Sequence, residues 1–285
     1  MKNLLITTAL CFAATSASAE LTYGSAFAKV HNFDGNGGSN DLATYNGAIE
    51  YRYDNLIFSG EVGKIDSDGG DFDFADFGLG YTLQNGVTIG LDYSGFDLEG
   101  EDADIVSAYA MYSFGAYTLG LSAGDSSDLE DTAYSIFGAW DVSSDGTVGA
   151  DIIRLDGETL IAAYATYDLD RYSLDADVFS SDGLDVFALS GGYDLGNNFA
   201  VIGSLSIADL DGDDLKALSV GAQYEFAPGA NVELAVGRID VDGGDNVDRL
   251  SLGVNYEFGK RTSKRRALGG ILVDASASSL GLTDF

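Results

Sequence analysis

Eight times the chain writes the same three-residue phrase: an aromatic, a polar residue, then an apolar one. The copies are Tyr51-Arg52-Tyr53, Tyr81-Thr82-Leu83, Tyr112-Ser113-Phe114, Trp140-Asp141-Val142, Tyr167-Asp168-Leu169, Tyr193-Asp194-Leu195, Tyr224-Glu225-Phe226 and Tyr256-Glu257-Phe258. Successive copies lie 26 to 32 residues apart, and a short turn follows each of the first seven. A recurrent period of that size marks a repeated supersecondary unit, here a hairpin whose second strand ends on an outward aromatic. Rings held at one level outside a structure are what a membrane–water interface selects.

Between the phrases, apolar and polar residues alternate, the mark of a strand with two unlike faces. In the first strand Leu21, Tyr23, Ser25 and Phe27 share one face and Thr22, Gly24 and Ala26 the other. In the second, Tyr45, Ile49, Tyr51 and Tyr53 oppose Asn46, Glu50 and Arg52. The pattern continues to a sixteenth strand, Leu250–Phe258, and one face stays small or polar throughout, as in Ser219, Gly221, Gln223 and Glu225. A soluble sandwich would bury the apolar face and spread its aromatics through the core. Here Tyr and Trp cluster at strand ends, while glycines and carboxylates suit a wet lumen. The reading is an all-β fold: a transmembrane antiparallel up-and-down β-barrel of 16 strands, apolar outside and closed so that no strand edge faces lipid.

The N-terminus agrees. Lys2, an apolar run from Leu4 to Ala14 and Ala17-Ser18-Ala19 read as a secretory signal peptide over residues 1–19. Cys11 lies inside that signal, so the mature chain offers no disulfide and no thiolate metal site. One barrel domain is expected over 20–258, followed by a basic C-terminal extension over 259–285. Between Glu20 and Phe258 stand 8 basic and 44 acidic residues, a balance that repels nucleic acid and favours cations. The extension reverses the sign with Lys260, Arg261, Lys264, Arg265 and Arg266 against Asp274 and Asp284.

Connections after even strands are short, such as Asp54-Asn55 and Asp170-Arg171. After odd strands they read as longer and Asp/Gly-rich, as in Asn32 to Asp41 and Asp97 to Asp104. Short periplasmic turns and long external loops orient an outer-membrane barrel, so the eightfold phrase is placed at the periplasmic girdle. Its aromatics are Tyr51, Tyr81, Tyr112, Trp140, Tyr167, Tyr193, Tyr224 and Tyr256.

With its signal peptide, sixteen strands, girdle and closing strand Leu250–Phe258, the chain resembles the bacterial general porins, the 16-stranded diffusion porins of the Gram-negative outer membrane. The resemblance implies a passive diffusion channel for small hydrophilic solutes, a homotrimer, and lipid and lipopolysaccharide as surroundings. It also makes Tyr256 and Phe258 the terminal signal for the barrel-assembly machinery. Two departures stand out. The third external loop, Asp97 to Asp104, is too short to fold inward as the family's constriction does, and 27 residues follow Phe258.

Strand parity assigns as pore-lining Glu50, Arg52, Glu61, Asp76, Asp92, Asp141, Asp151, Asp168, Asp175, Asp177, Asp194, Glu225, Glu233 and Glu257, with Arg249 as a further inward base. Carboxylate rings make a pore prefer cations, although the same groups could simply solvate a wide lumen. A structural or adhesive barrel with a blocked lumen is the alternative, its acidic external loops bridging divalent cations. Loops such as Asp66–Asp71, Asp209–Asp214 and Asp242–Asp245 could suggest calcium, but none completes an EF-hand and Asp and Gly are ordinary turn residues. No metal site, cofactor or catalytic residue is expected. His31, near Asp34 at the end of the first strand, has no matching nucleophile in the sequence and is read as exposed. The basic extension could enter the acidic lumen or bind lipid phosphates; a disordered tail is the plainer expectation.

Overall fold

The computed structural model describes residues 19–35, 38–67, 70–98, 101–126, 132–155, 157–210, 213–261, 263, 265, 266 and 271. The signal segment lies outside them except for Ala19, as does most of the extension. Sixteen strands follow in order: β1 Ala19–Gly35, β2 Gly38–Tyr53, β3 Leu56–Ser67, β4 Gly70–Thr82, β5 Val87–Leu98, β6 Glu101–Phe114, β7 Tyr117–Ser126 and β8 Ala133–Ser143. Then come β9 Gly146–Leu155, β10 Glu158–Leu169, β11 Tyr172–Ser181, β12 Leu184–Gly196, β13 Phe199–Leu210, β14 Asp213–Ala227, β15 Ala230–Val241 and β16 Val247–Gly259. Each pairs antiparallel with its neighbours in sequence, and β1 also pairs with β16, closing the barrel. Closure satisfies the edge hydrogen bonds that lipid could not.

The outer surface is the apolar face of the alternation. Ile136 is 68% exposed, Leu218 64% and Leu121 60%. An apolar skin of that extent around a soluble monomer would be an aggregation surface; around a barrel it is a lipid contact. Inward positions are small and polar, and hydroxyls pair across strands: Ser122 with Ser135 at 2.6 Å, Ser204 with Ser219 at 2.7 Å and Thr82 with Thr88 at 2.9 Å. At the girdle end the turns are tight. Asn197 and Asn198, at φ of 56° and 68°, join β12 to β13 in the left-handed geometry that a two-residue hairpin favours.

At the other end the structure corrects four of the expected long loops. β1 runs to Gly35 before β2 begins at Gly38, and Ser67 and Gly70, Leu98 and Glu101, and Leu210 and Asp213 bound equally short breaks. The Asp-rich stretches continue the ladder because every residue added pairs its backbone, while their charged side chains stand in water. Lys64 bridges Asp71 at 2.6 Å there, and Arg238 bridges Asp248 at 2.8 Å. Asp242 to Asn246, between β15 and β16, remain a loop as expected, and residues 127–131, between β7 and β8, lie outside the described residues. The two rims also differ in chemistry, aromatic against acidic.

A second correction concerns β1. Its register with β2 shifts between Leu21 and Tyr23. The bulge leaves Leu21 outside but turns Tyr23 inward, and the parity carries Lys29 and His31 inward as well; all three are buried, while Val30 is half exposed. The inner wall is also not polar throughout. Ile153, Leu160, Ala162, Phe179, Val186 and Ala208 form a buried apolar patch across β9 to β13, closed by Ile271 of the C-terminal extension.

Candidate functional site

The predicted lumenal carboxylates separate into tiers. Asp168, Asp194, Glu225 and Glu257, middle residues of the repeated phrase, stand exposed at the girdle end, and Asp141 beside them accepts a hydrogen bond from Thr147 at 2.8 Å. Deeper in, Glu50, Asp76, Asp92, Asp151 and Glu233 are buried, with Glu61, Asp175 and Asp177 partly so, while Arg52 is half-buried at the girdle end. Burial of a carboxylate requires partners. Glu233 meets Lys29 at 2.5 Å, Glu50 accepts from the Thr22 hydroxyl at 2.9 Å, and Glu61 accepts from Asn46 at 2.9 Å.

Further partners, for Glu50, Glu61, Asp92 and Asp177, come from the extension. Gly259 ends β16 at φ 76°, and a Cβ there would stand 2.0 Å from the Thr22 carbonyl oxygen. Glycine is what allows the chain to turn off the wall, where the Lys260 N–H donates to that same oxygen at 2.9 Å. Arg261 then pairs with Glu61 at 3.0 Å, the Ser263 N–H donates to Glu50 at 3.0 Å, Arg265 pairs with Asp92, and Arg266 pairs with Asp177 at 3.1 Å. These described residues thus climb the lumen from the girdle end towards the apolar patch that receives Ile271. The plainer expectation of a disordered tail fails for them, because the partners of the arginines sit on β3, β5 and β11, non-neighbouring strands that face one lumen only once the barrel closes. Replacing Gly259 by Ala is expected to misdirect this exit: the Arg265-Arg266 bond should become accessible to trypsin in the folded barrel while the barrel itself stays resistant.

Inward aromatics complete the surface. Phe74, Tyr109, Phe137 and Tyr164 each lie opposite a glycine on the adjoining strand: Gly63, Gly90, Gly120 and Gly149. A Cβ at those glycines would come within 2.0 to 2.4 Å of the facing ring. The missing side chain is therefore what lets the ring lie across the wall. The Arg265 guanidinium sits 4.6 Å from the Tyr109 ring centroid and 5.8 Å from that of Phe137; Arg266 lies 5.2 Å from Tyr164 and Arg261 4.9 Å from Tyr23. Parity reasoning overlooked these rings because it sorted aromatics outward; a glycine directly across the ladder was the available signal.

Outside, the girdle aromatics face away from the lumen, Tyr51 half-buried and the other seven exposed. Several pack against neighbouring rings: Tyr117 stacks on Trp140 with centroids 5.9 Å apart, while Tyr172 and Tyr193 at 4.9 Å, Phe199 and Tyr224 at 4.7 Å, and Tyr256 and Phe258 at 5.7 Å meet tilted by 40°. His31 is corrected from exposed to buried, 3% accessible, with its Nδ1 2.8 Å from Ser251 Oγ; Asp34 is exposed on the opposite face of the strand. Among the described residues no group of three or more His, Cys, Asp or Glu is placed to hold a metal ion.

Set against solved structures, the barrel superposes on a five-substitution mutant of the Rhodopseudomonas blastica porin with a TM-score of 0.51 at 19% identity, covering 84% of this chain and 100% of that one. A two-substitution mutant of the same porin gives 0.51 at 18% over the same shares. The fold is that of the bacterial porins. Residues 156–264 also match the family model described as Gram-negative porin. A porin from Rhodobacter capsulatus is 27% identical over an alignment covering 44% of this chain and 52% of that one, so the match spans about half of that relative's length. A porin barrel with this outer band is an integral protein of the Gram-negative outer membrane.

Proposed function

We propose that the barrel is a passive, water-filled diffusion channel for small hydrophilic solutes and ions, with a weak preference for cations. The observation that carries this reading is the division of the wall: an apolar exterior around an interior of hydroxyls and carboxylates. A barrel of 16 strands is wide enough for an aqueous lumen. Interior carboxylates outnumber interior bases, and rings of Asp and Glu lower the energy of a cation in the pore relative to an anion. Assembly as a homotrimer, contact with lipopolysaccharide and delivery by the barrel-assembly machinery through Tyr256 and Phe258 rest on the resemblance to porins. Liposome swelling with neutral sugars of graded size tests the reading. Uptake that falls with sugar size is the expected result; no swelling with any sugar favours the second reading, a structural barrel with a blocked lumen. That second reading has one observation of its own, the arginines of the extension inside the barrel.

A further inference from the structure

We propose that the inner wall carries a binding site for guanidinium cations, and that the chain's own C-terminal extension occupies it as an internal competitor. The inference deepens the channel reading, since it concerns the same lumen. Its geometry is that of a receptor. Arg265, 10% exposed, pairs with Asp92, 8% exposed, and faces the rings of Tyr109 and Phe137. The next residue, Arg266, meets Asp177 and the ring of Tyr164. A carboxylate at the edge and an aromatic at the face is the pairing a planar, weakly hydrated cation selects, and a compact ammonium fits it less well.

The site is built by the wall and not by the tail. Tyr109 lies across Gly90 and Phe137 across Gly120, each pair in direct register on neighbouring strands, so the ring positions are set by the barrel ladder. Described residues on either side of the arginines hold the extension there. Gly259 turns it off the wall, and Ile271 closes the patch of Leu160, Phe179 and Val186. Two attachments of unlike chemistry make the arginines an intramolecular ligand at high effective concentration, which a free guanidinium solute must displace.

The test uses the full chain, purified in detergent, in which Arg265→Ala and Arg266→Ala vacate the site while the tail remains. Arginine amide and lysine amide serve as probes in isothermal titration calorimetry. The expected result is that the double variant binds arginine amide at least tenfold more tightly than the unsubstituted protein does, and more tightly than it binds lysine amide. Adding Tyr109→Leu should weaken that binding roughly tenfold, whereas Tyr109→Phe keeps the ring and should retain it; cold-gel mobility confirms that each variant is folded. Equal binding by unsubstituted and double-variant protein, equal binding of both amides, or indifference to Tyr109→Leu would overturn the proposal. Conductance of the same preparations in planar bilayers reports separately on the channel. Binding without conductance removes the channel reading and leaves the site; conductance without binding does the reverse.

Discussion

Val220→Arg is expected to destabilise the membrane-inserted barrel by about 2–4 kcal/mol, the cost of a guanidinium facing lipid near mid-depth. Val220 is 56% exposed on the outer face of β14, between Lys216 towards the acidic rim and Tyr224 at the girdle. Its neighbour across the ladder is Val236, also 55% exposed, so the new charge would find an apolar partner on that side. The charge lies too far from either rim for its side chain to reach headgroups without distorting the strand. Gln223→Arg points the same group into the lumen, three residues away, and is expected to change the folding free energy by a few tenths of a kcal/mol while shifting ion preference towards anions. Urea-induced unfolding from lipid vesicles, followed by heat-modifiable gel mobility, measures both. Equal losses at the two positions would contradict the assignment of faces.

Gly90→Val should cost about 1–3 kcal/mol, because a Cβ there would stand 2.4 Å from the backbone oxygen of Leu79 and 2.4 Å from the ring of Tyr109. The ring can swing into the lumen, but the Leu79 carbonyl belongs to the β4 ladder and cannot move without disturbing it. Two consequences follow. The barrel loses stability in the same urea assay, and Tyr109 leaves the position where it faces Arg265, which should increase tryptic cleavage after that arginine. Gly203→Ala is the matched control: its nearest neighbour, the Ser219 carbonyl oxygen, would be 3.5 Å away, an ordinary contact, and a loss of a few tenths of a kcal/mol is expected.

What could be read from the sequence is what repeats. Alternation with a period of two, punctuated by the aromatic phrase, supplies strand number, closure and face, because each strand must solve the same two-solvent problem. Single events escape such reading. The bulge at Leu21 inverted β1, although Lys29 and His31 alternating with Ala28 and Val30 would have shown the inward parity beyond it. The Asp-rich stretches resembled loops because Asp and Gly are turn formers, yet backbone pairing outlasts side-chain preference when the charges are solvated. Leu160, Phe179 and Val186 belong to the patch that receives Ile271, a local apolar cluster that no repeat announces. The arginines of the extension carry no period, and their partners come from strands as far apart in the chain as β3 and β11, so only closure of the barrel brings Glu61, Asp92 and Asp177 to them.

In the proposed channel, the charge balance inside the barrel decides what crosses it. The extension neutralises part of an interior that remains acidic, with exposed carboxylates at Asp168, Asp194, Glu225 and Glu257 guarding the girdle end. The most direct measurement is the zero-current potential of the full-length protein in a planar bilayer separating concentrated from dilute potassium chloride. A potential of the sign set by potassium diffusion is the predicted result, and it should shrink when Asp168, Asp194, Glu225 and Glu257 are all replaced by Asn or Gln. A potential of the sign set by chloride, or a bilayer that stays closed, would contradict the account.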